Sequence, residues 1–396
     1  MDLTQRRIVI VGGGVGGLAV ASALSMHGAA VTVLEQADAL TDIGAGIQIS
    51  PNGFRVLQAL GVEKDLRQCG IEGRAICLRD YRRGAQVFRL NLTAMADGAS
   101  YVFLHRADLI GLLSDRARAK GVDIRLQQEV RSVTQGERPR LELGTTEIQE
   151  ADLIIAADGL RSVARAQLNG ADAAFFTGQT AWRAVVPNTH AHPMHVRLFM
   201  GPGRHIVTYP LRDGSLVNIV AVQERAEWVE EGWSHADNPD TLRAAFADFC
   251  PEVHQVLSAV DDVRLWGLHR HRVASTWVGQ GLALLGDAAH PMLPFLAQGA
   301  NMALEDAWVL ADCLIRKSDQ ASALALYQSR RIARVRRVVR VASSNARKYH
   351  LRPGPHRWLA HMGLKGVGAL APDLPMRSFR WLYDHDATVP WSDESG

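Results

Sequence analysis

The chain has 396 residues, 47% of them hydrophobic, and a formal net charge of +3. This composition is ordinary for a globular protein with a large core, and the charge is too mild to indicate nucleic-acid binding. No apolar run is long enough to span a membrane and no signal-peptide pattern is present, so we expect a cytoplasmic protein that does not bind membranes. Four scattered cysteines predict neither a disulfide framework nor a metal site.

The first forty residues predict a strand, a glycine-rich turn, a helix and a second strand. The apolar run 8–11 is typical of a buried parallel strand, and the small and apolar residues of 18–27 suit a helix packed on a sheet. The run 31–34 repeats the strand pattern and ends at Glu35. This order is the beginning of a nucleotide-binding βαβ unit.

Gly12, Gly14 and Gly17 have the Gly-x-Gly-x-x-Gly spacing of a dinucleotide-binding turn. The first glycine permits the tight turn, the second admits a pyrophosphate and the third lets the helix approach the strand. Val15 lies at the start of the helix, whose N–H groups would face the phosphates. Glu35 would accept hydrogen bonds from ribose hydroxyls and disfavours a 2′-phosphate, so these residues indicate FAD or NAD.

The remaining chain alternates further βα elements with β-rich insertions. The predicted segments, in chain order, are a helix over 52–60, antiparallel strands between 71 and 103, a helix over 108–120 capped by Asp108, buried strands at 122–126 and 153–156, a β-rich stretch over 175–268, a buried strand at 282–285, helices to Tyr349, and an irregular surface tail beyond Pro372.

Several motifs along the chain carry a family resemblance. They are Leu104–Leu109, Ala156–Ser162 with Arg165, Leu285–Pro291, Gln298–Asn301 and Glu305–Ala307. Together with the glycine turn they resemble the single-component FAD-dependent aromatic hydroxylases (group A flavoprotein monooxygenases), a family that includes hydroxylases of salicylate, 3-hydroxybenzoate and 6-hydroxynicotinate. The resemblance runs from about residue 6 to residue 350.

The resemblance implies an α/β fold: a Rossmann-like FAD-binding domain with an inserted β-sheet substrate domain (p-hydroxybenzoate hydroxylase-like) and C-terminal helices. It implies bound FAD, NADH or NADPH as a transient co-substrate, O₂, a small aromatic substrate, and a monomer or homodimer. The expected segments are FAD-binding parts at 1–72, 104–174 and 271–350, substrate-domain parts at 73–103 and 175–270, and a tail at 351–396.

Cofactor contacts are implied for Arg106, Asp158 and Asp287, the last of which would accept from the ribityl chain. The turn Gly299-Ala300-Asn301 would open a helix whose N–H groups face the pyrimidine edge of the flavin, and its dipole would favour the reduced, anionic state. Asp158 and Arg165 belong to the second fingerprint of the family.

His205 and Tyr209 are the predicted substrate-side residues. They are four apart on a predicted strand, so both rings point to one face. The pair resembles the His…Tyr pair of 3-hydroxybenzoate and 6-hydroxynicotinate hydroxylases, and histidine is a suitable base for a phenol. Pro294 matches a family proline beside the flavin ring, and Ala297 stands where many members carry glycine.

Two questions stay open at the level of sequence. The basic run Arg330–Arg347 is interpreted as a solvated helix face, with membrane-surface binding as the alternative. The leading function is hydroxylation of a small phenolic or hydroxypyridine carboxylate through a flavin hydroperoxide, with or without decarboxylation. The alternatives are a hydroxylase of larger lipophilic or polycyclic phenols and an FAD-binding regulatory protein without monooxygenation.

Overall fold

The computed structural model describes residues 1–40, 45–93, 98–226, 236–370 and 374–390. The strands in these ranges are β1 (Arg7–Val11), β2 (Ala30–Leu34), β3 (Gly46–Ile49), β4 (Ile71–Glu72), β5 (Ala75–Asp80), β6 (Gln86–Asn91), β7 (Val102–His105), β8 (Asp123–Arg125), β9 (Val130–Thr134), β10 (Arg140–Leu143), β11 (Ile148–Glu150), β12 (Leu153–Ala156), β13 (Phe175–Pro187), β14 (His195–Gly201), β15 (Arg204–Leu211), β16 (Leu216–Glu224), β17 (Ala236–Asp237), β18 (Val263–Arg270), β19 (Val278–Gly279) and β20 (Leu282–Leu284). The helices are α1 (Val15–Ser25), α2 (Pro51–Ala59), α3 (Glu63–Cys69), α4 (Arg106–Ala119), α5 (Val163–Asn169), α6 (Pro239–Ala245), α7 (Pro251–Ser258), α8 (Gly299–Arg316), α9 (Gln320–Tyr349), α10 (Pro355–Leu370) and α11 (Leu374–Tyr383).

The first large sheet carries the glycine-rich turn. Its order is β19-β20-β12-β1-β2-β8, and β1 is parallel to both β12 and β2. Residues 8–11 of β1 are buried, as expected for a parallel strand covered on both faces. The carboxyl ends of parallel strands meet at one edge, so Gly12, Glu35, Asp158 and Gly286 come together although they are scattered along the chain.

The second large sheet is the β-rich insertion, in the order β17-β18-β13-β16-β15-β14-β5-β6. One face is covered by α6 and α7, against which Trp182, Phe199, Ile206 and Ile219 pack. The other face turns toward the first sheet and the C-terminal end of α9. Because successive side chains point to opposite faces of the sheet, one face forms a buried core and the other is available to a ligand.

The C-terminal region differs in part from the sequence prediction. Two helices, α10 and α11, follow residue 350, and α11 lies where an irregular surface tail beyond Pro372 was predicted. Leu382 and Tyr383 at its end are buried. The apolar side chains of α11 follow helical spacing, which the prediction overlooked behind Pro372. The last six residues of the predicted tail lie outside the described residues.

The basic run on α9 is also only partly the solvated face that was predicted. Arg336 and Arg340 are exposed, but the Arg331 side chain is buried and Arg334 is nearly so. His105, rather than Asp108, caps α4, because its side chain accepts from the Ala107 N–H at 3.2 Å. Within the described ranges, no helix is long and apolar enough to cross a membrane.

Candidate active site

The glycine turn has the geometry that its spacing predicts. Gly12 has φ +104°, and a Cβ there would lie 2.4 Å from the Ala157 carbonyl oxygen. A Cβ on Gly17 would lie 2.0 Å from the Gly12 oxygen, so α1 can approach β1 only with glycine at this position. A Cβ on Gly14 would meet no protein atom within 4 Å. Gly14 therefore borders open space at the start of α1, where a pyrophosphate can reach the backbone N–H groups.

This contrast gives a paired prediction. We expect Gly14→Ala to leave the apoprotein as stable as wild type but to weaken FAD binding about 5- to 150-fold, the equivalent of about 1–3 kcal/mol of overpacking. Gly17→Ala should instead lower the free energy of unfolding, because its Cβ clashes with backbone. Urea unfolding of the apoproteins and fluorescence titration with FAD measure the two effects. Equal FAD affinities for Gly14→Ala and wild type would contradict the assignment.

Glu35 and Asp158 lie at the same sheet edge, where Glu35 braces the glycine turn and Asp158 binds the start of α5. The Glu35 carboxylate accepts from the Gly13 N–H at 2.7 Å and the Ala37 N–H at 2.9 Å. Each oxygen keeps a second lone pair for a ribose hydroxyl. Asp158 accepts from the Val163 N–H at 3.0 Å at the start of α5, and burial raises the pKa of Asp158 to about 6.

Asp287 and Arg106 come from distant parts of the chain but lie close enough for the charge of Arg106 to lower the pKa of Asp287. Asp287 is exposed, yet desolvation by the surrounding protein raises the pKa of its carboxyl, and the charges of His290 and Arg106 partly offset this rise. Exposure combined with desolvation is expected for a carboxyl in the wall of a cleft. Arg165 lies behind this cleft and donates to the Ala288 and Ala289 carbonyls, so its role in the structure is to hold the loop that carries Asp287.

The start of α8 is held by buried hydrogen bonds. The Asn301 side chain accepts from the Ser50 N–H at 3.0 Å and donates to the Gln48 and Ala297 carbonyls, so it can offer a cofactor only its backbone. Ala297 has φ +51°, in the left-handed region that favours glycine. This conformation gives a physical reason for the glycine that many members of the resembled family carry there. Gly299 and Ala300, next along the chain, are half-buried.

A buried ionic cluster lies under α8, and its pairing was not predicted. Arg331 donates to Glu305 and to Asp306 at 2.6 Å each, and His290 lies 2.5 Å from Asp306. Arg334 adds contacts to both Glu305 oxygens at 2.7 Å. Burial raises the pKa of Glu305, but the two arginines outweigh it and bring the pKa to about 2.

This cluster, named here the α8–α9 ionic cluster (Glu305, Asp306, Arg331, Arg334 and His290), connects to the turn that begins at Gln298. Asn52 donates to Glu305 at 2.7 Å and to Gln298 at 3.1 Å, and Gln298 donates to Ser50. A continuous set of hydrogen bonds thus fixes the start of α8 to α9. Two consecutive acids, Glu305 and Asp306, lie in an otherwise largely apolar helical segment. Because buried carboxylates are paired with a cation, this pattern could have indicated the cluster from the sequence.

His205 and Tyr209 lie on the inward face of β15, as predicted, with Val207 between them. Their partners on β16 are Val222 and Asn218. Val207 and Val220 point inward but are only half-buried, so space remains beside them. The two predicted residues therefore lie on either side of this partly accessible patch, on the sheet face that is turned toward residues 294–299.

His205 is enclosed by aromatic rings. The ring centroids of Phe295 and Tyr349 lie 5.1 and 5.4 Å from the centroid of the His205 ring. Nδ1 of His205 is hydrogen-bonded to Nε2 of His350 at 2.7 Å. Burial lowers the pKa of His205 well below its ordinary value, and His350 lowers it further. His205 is therefore neutral at pH 7 and able to accept a proton. Phe295 follows Pro294, whose carbonyl accepts from the Ala297 N–H at 3.0 Å.

Tyr209 belongs to a group of buried tyrosines. Its ring lies 5.4 Å from Phe103, and its hydroxyl borders Gly46 and the Gln48 side chain. Tyr101 also donates to Gln48, at 2.8 Å, and its ring lies 6.0 Å from Tyr383 of α11. Burial raises the pKa of Tyr209, so its hydroxyl remains protonated and can donate.

Arg183 is a further charged group on the inward face, and sequence analysis passed over it. It pairs with Val220 on β16, and its guanidinium carbon lies 4.3 Å from the Trp266 ring centroid. Its charge lowers the pKa of Tyr209, opposing the effect of burial, which places the two groups within electrostatic reach. A single arginine in the apolar strand 181–186 was the signal that could have identified it.

Known proteins resemble this chain over nearly its full length. The family model described as "FAD binding domain" matches residues 5–342. The chain is 36% identical to a 3-amino-4-hydroxybenzoate 2-monooxygenase of Streptomyces platensis, covering 96% of each chain. It is 32% identical to a 3-hydroxybenzoate 6-hydroxylase of Polaromonas naphthalenivorans, covering 95% of each. A solved salicylate hydroxylase substrate complex superposes with a TM-score of 0.81 at 26% identity, covering 97% of this chain and 96% of the other.

Proposed function

Since the chain belongs to the FAD-dependent aromatic monooxygenases, we propose that it hydroxylates a small phenolic or hydroxypyridine carboxylate with NADH or NADPH and O₂. The observation that carries the proposal is the inward face of β15 and its neighbours. It combines a neutral, buried His205, a protonated Tyr209 and the cationic Arg183 around half-buried apolar side chains. Such a surface suits a flat ring that bears one hydroxyl and one carboxylate. The two relatives named for hydroxybenzoates support the same substrate class.

The residues divide the work as follows. When bound, FAD supplies the electrons taken from NAD(P)H and the activation of O₂. Gly14, Glu35 and Asp287 would hold it along the cleft, and the N–H groups of Gly299 and Asn301 would face its ring. His205 accepts the proton of the ring hydroxyl, which makes the ring more electron-rich. Tyr209 donates to the substrate, and the aromatic side chains exclude water from the reacting atoms.

A panel of hydroxybenzoates, aminohydroxybenzoates and hydroxypyridine carboxylates tests the proposal, with NAD(P)H and O₂ consumption measured and products identified by mass. We expect at least one small carboxylate to stimulate NAD(P)H oxidation and to gain one oxygen atom; product mass also shows whether the carboxylate is lost. Turnover only with polycyclic phenols would replace this substrate class by the larger one. Bound FAD that no aromatic compound renders reducible would contradict monooxygenation itself.

Arg183 gives a sharper test of the carboxylate. We expect Arg183→Gln to raise KM about 10- to 150-fold for the carboxylate substrate, the equivalent of about 1.5–3 kcal/mol for a charge-assisted hydrogen bond. For the same phenol without its carboxylate, KM should be unchanged. Steady-state kinetics on the matched pair of substrates measure the difference. An equal rise in KM for both compounds would show that Arg183 supports the cavity without binding the carboxylate.

A further inference from the structure

His205 is the inner end of a chain of hydrogen bonds that reaches the surface. Its Nδ1 lies 2.7 Å from Nε2 of His350, and Nδ1 of His350 lies 2.8 Å from Oε1 of Glu224. His205 is 1% exposed and His350 5%, whereas the Glu224 side chain is 50% exposed. We propose that these three groups form a proton relay, through which the substrate proton leaves the closed site and later returns. This inference rests on the proposed function, in which His205 is the base.

The hydrogen-bond pattern fixes which nitrogen faces the substrate. An ionised carboxylate only accepts, so His350 donates from Nδ1 to Glu224 and its Nε2 must be an acceptor. His205 then donates from Nδ1, which leaves Nε2 as its basic atom. Within the described part of the chain, no hydrogen bond to this Nε2 is found. The base therefore presents its lone pair on the side away from the relay.

Proton transfer along this chain balances at each step. The substrate O–H bond breaks as an N–H bond forms at Nε2 of His205. The Nδ1 proton of His205 passes to Nε2 of His350, and the Nδ1 proton of His350 passes to the Glu224 carboxylate. The substrate is left as a phenolate, and both imidazoles end neutral. The reverse sequence returns a proton to the product oxygen and restores the original tautomers, so no buried cation has to persist.

Two backbone elements hold the relay in place. His350 is the first residue after α9, and its carbonyl accepts from the Gly203 N–H in the turn before β15. The Gly203 carbonyl in turn accepts from the Glu224 N–H at 2.8 Å. The end of a helix is also a favourable place for a histidine that becomes transiently cationic.

The outer end of the relay opens to solvent. Glu224 lines a surface cleft of ≈ 500 Å³ together with Pro202, Gly203, Arg204, Gln223, Arg352 and Pro353. Arg204 is engaged with Asp248 at 3.0 Å. Around the inner end, the titratable groups that face His205 are Tyr349 and His350. Small buffer molecules can therefore reach Glu224 from outside, and the space left by removal of the neighbouring His350 side chain would adjoin this cleft.

The test follows proton transfer directly, using a nitrophenol carboxylate whose phenolate absorbs at a different wavelength from its phenol. After rapid mixing with the FAD-loaded enzyme below the pKa of the probe, we expect wild type to form the bound phenolate quickly. His350→Ala and Glu224→Gln should slow this phase at least tenfold, at the lower end of the usual effect of a general acid–base group. Imidazole should restore the rate of His350→Ala, a rescue that a merely structural role would not show.

His192 supplies the matched control. It is a part-buried histidine bound to Thr208 at 2.8 Å, on the opposite face of the same strand. His192→Ala should leave the phenolate phase unchanged. Fast phenolate formation in both His350→Ala and Glu224→Gln would overturn the relay alone. If His350→Ala does not fold, Glu224→Gln, which changes an exposed side chain, tests the relay by itself. No phenolate at all in wild type would overturn the proposed function and the relay with it.

Discussion

Replacing His205 by alanine is expected to lower the rate of hydroxylation about 10²- to 10⁴-fold, the usual contribution of a general base. His205 is neutral because burial and His350 lower its pKa, and it lies beside Phe295 on the cavity side of β15. Without it, the ring hydroxyl loses its proposed proton acceptor. FAD content should be unchanged, because none of the glycine turn, Glu35 or Asp287 contacts this residue.

Single-turnover kinetics with NADH, O₂ and the preferred substrate measure this effect, together with hydrogen peroxide release. Tyr209→Phe, which removes one hydroxyl from the same strand face, should have a smaller effect on turnover. Coupled hydroxylation by His205→Ala at the wild-type rate would remove His205 from the reaction. Loss of FAD from this variant would instead indicate a folding defect.

The second large effect is on stability. Arg331→Leu should lower the free energy of unfolding by about 3–5 kcal/mol, because it leaves two carboxylates buried without their main partner. The triple variant Arg331→Leu, Glu305→Gln and Asp306→Asn should recover only part of this loss: no unpaired carboxylate remains buried, but Arg334 loses its ionic partner Glu305. Arg336→Leu, at an exposed position of the same helix, is the matched control and should change stability by less than about 0.5 kcal/mol.

Urea unfolding monitored by circular dichroism measures these differences, and acid adds an independent check. The pKa of Glu305 falls from its ordinary 4.5 to about 2 in the folded protein. Because the folded pKa is the lower one, the stabilisation is fully present above about pH 4.5 and is lost as the pH falls toward 2. A similar acid sensitivity in the triple variant would contradict the role of the α8–α9 ionic cluster.

The sequence predicted the parts of the fold that local patterns specify. The glycine spacing, the acid after the second strand and the buried strands each depend on a few consecutive residues, and the structure places them at one sheet edge. The inward face shared by His205 and Tyr209 follows equally from the period of two in a strand. Their roles toward a ligand remain predictions for the experiments above.

Contacts between residues far apart in the sequence could not be predicted from such local patterns. Nothing local indicates that Arg331 meets acids 25 and 26 positions earlier, and an arginine in a basic run is usually exposed. His350 likewise follows the end of a helix, 145 positions from the histidine that it contacts. The buried part of α11 was missed because a proline-containing segment near a chain end is usually irregular.

The position of Tyr383 has a consequence for the order in which the site forms during folding. Arg55 and Arg334 bind the carbonyls of residues 381–383, and Arg337 lies 3.8 Å from the Trp381 ring centroid. The wall beside Tyr101 is therefore supplied by a segment that is far from Tyr101 along the chain. The strand, turn and helix of the glycine motif, by contrast, are consecutive. Because a contact between distant segments forms only after a long loop of chain has closed, we expect this wall to form later in folding than the glycine turn.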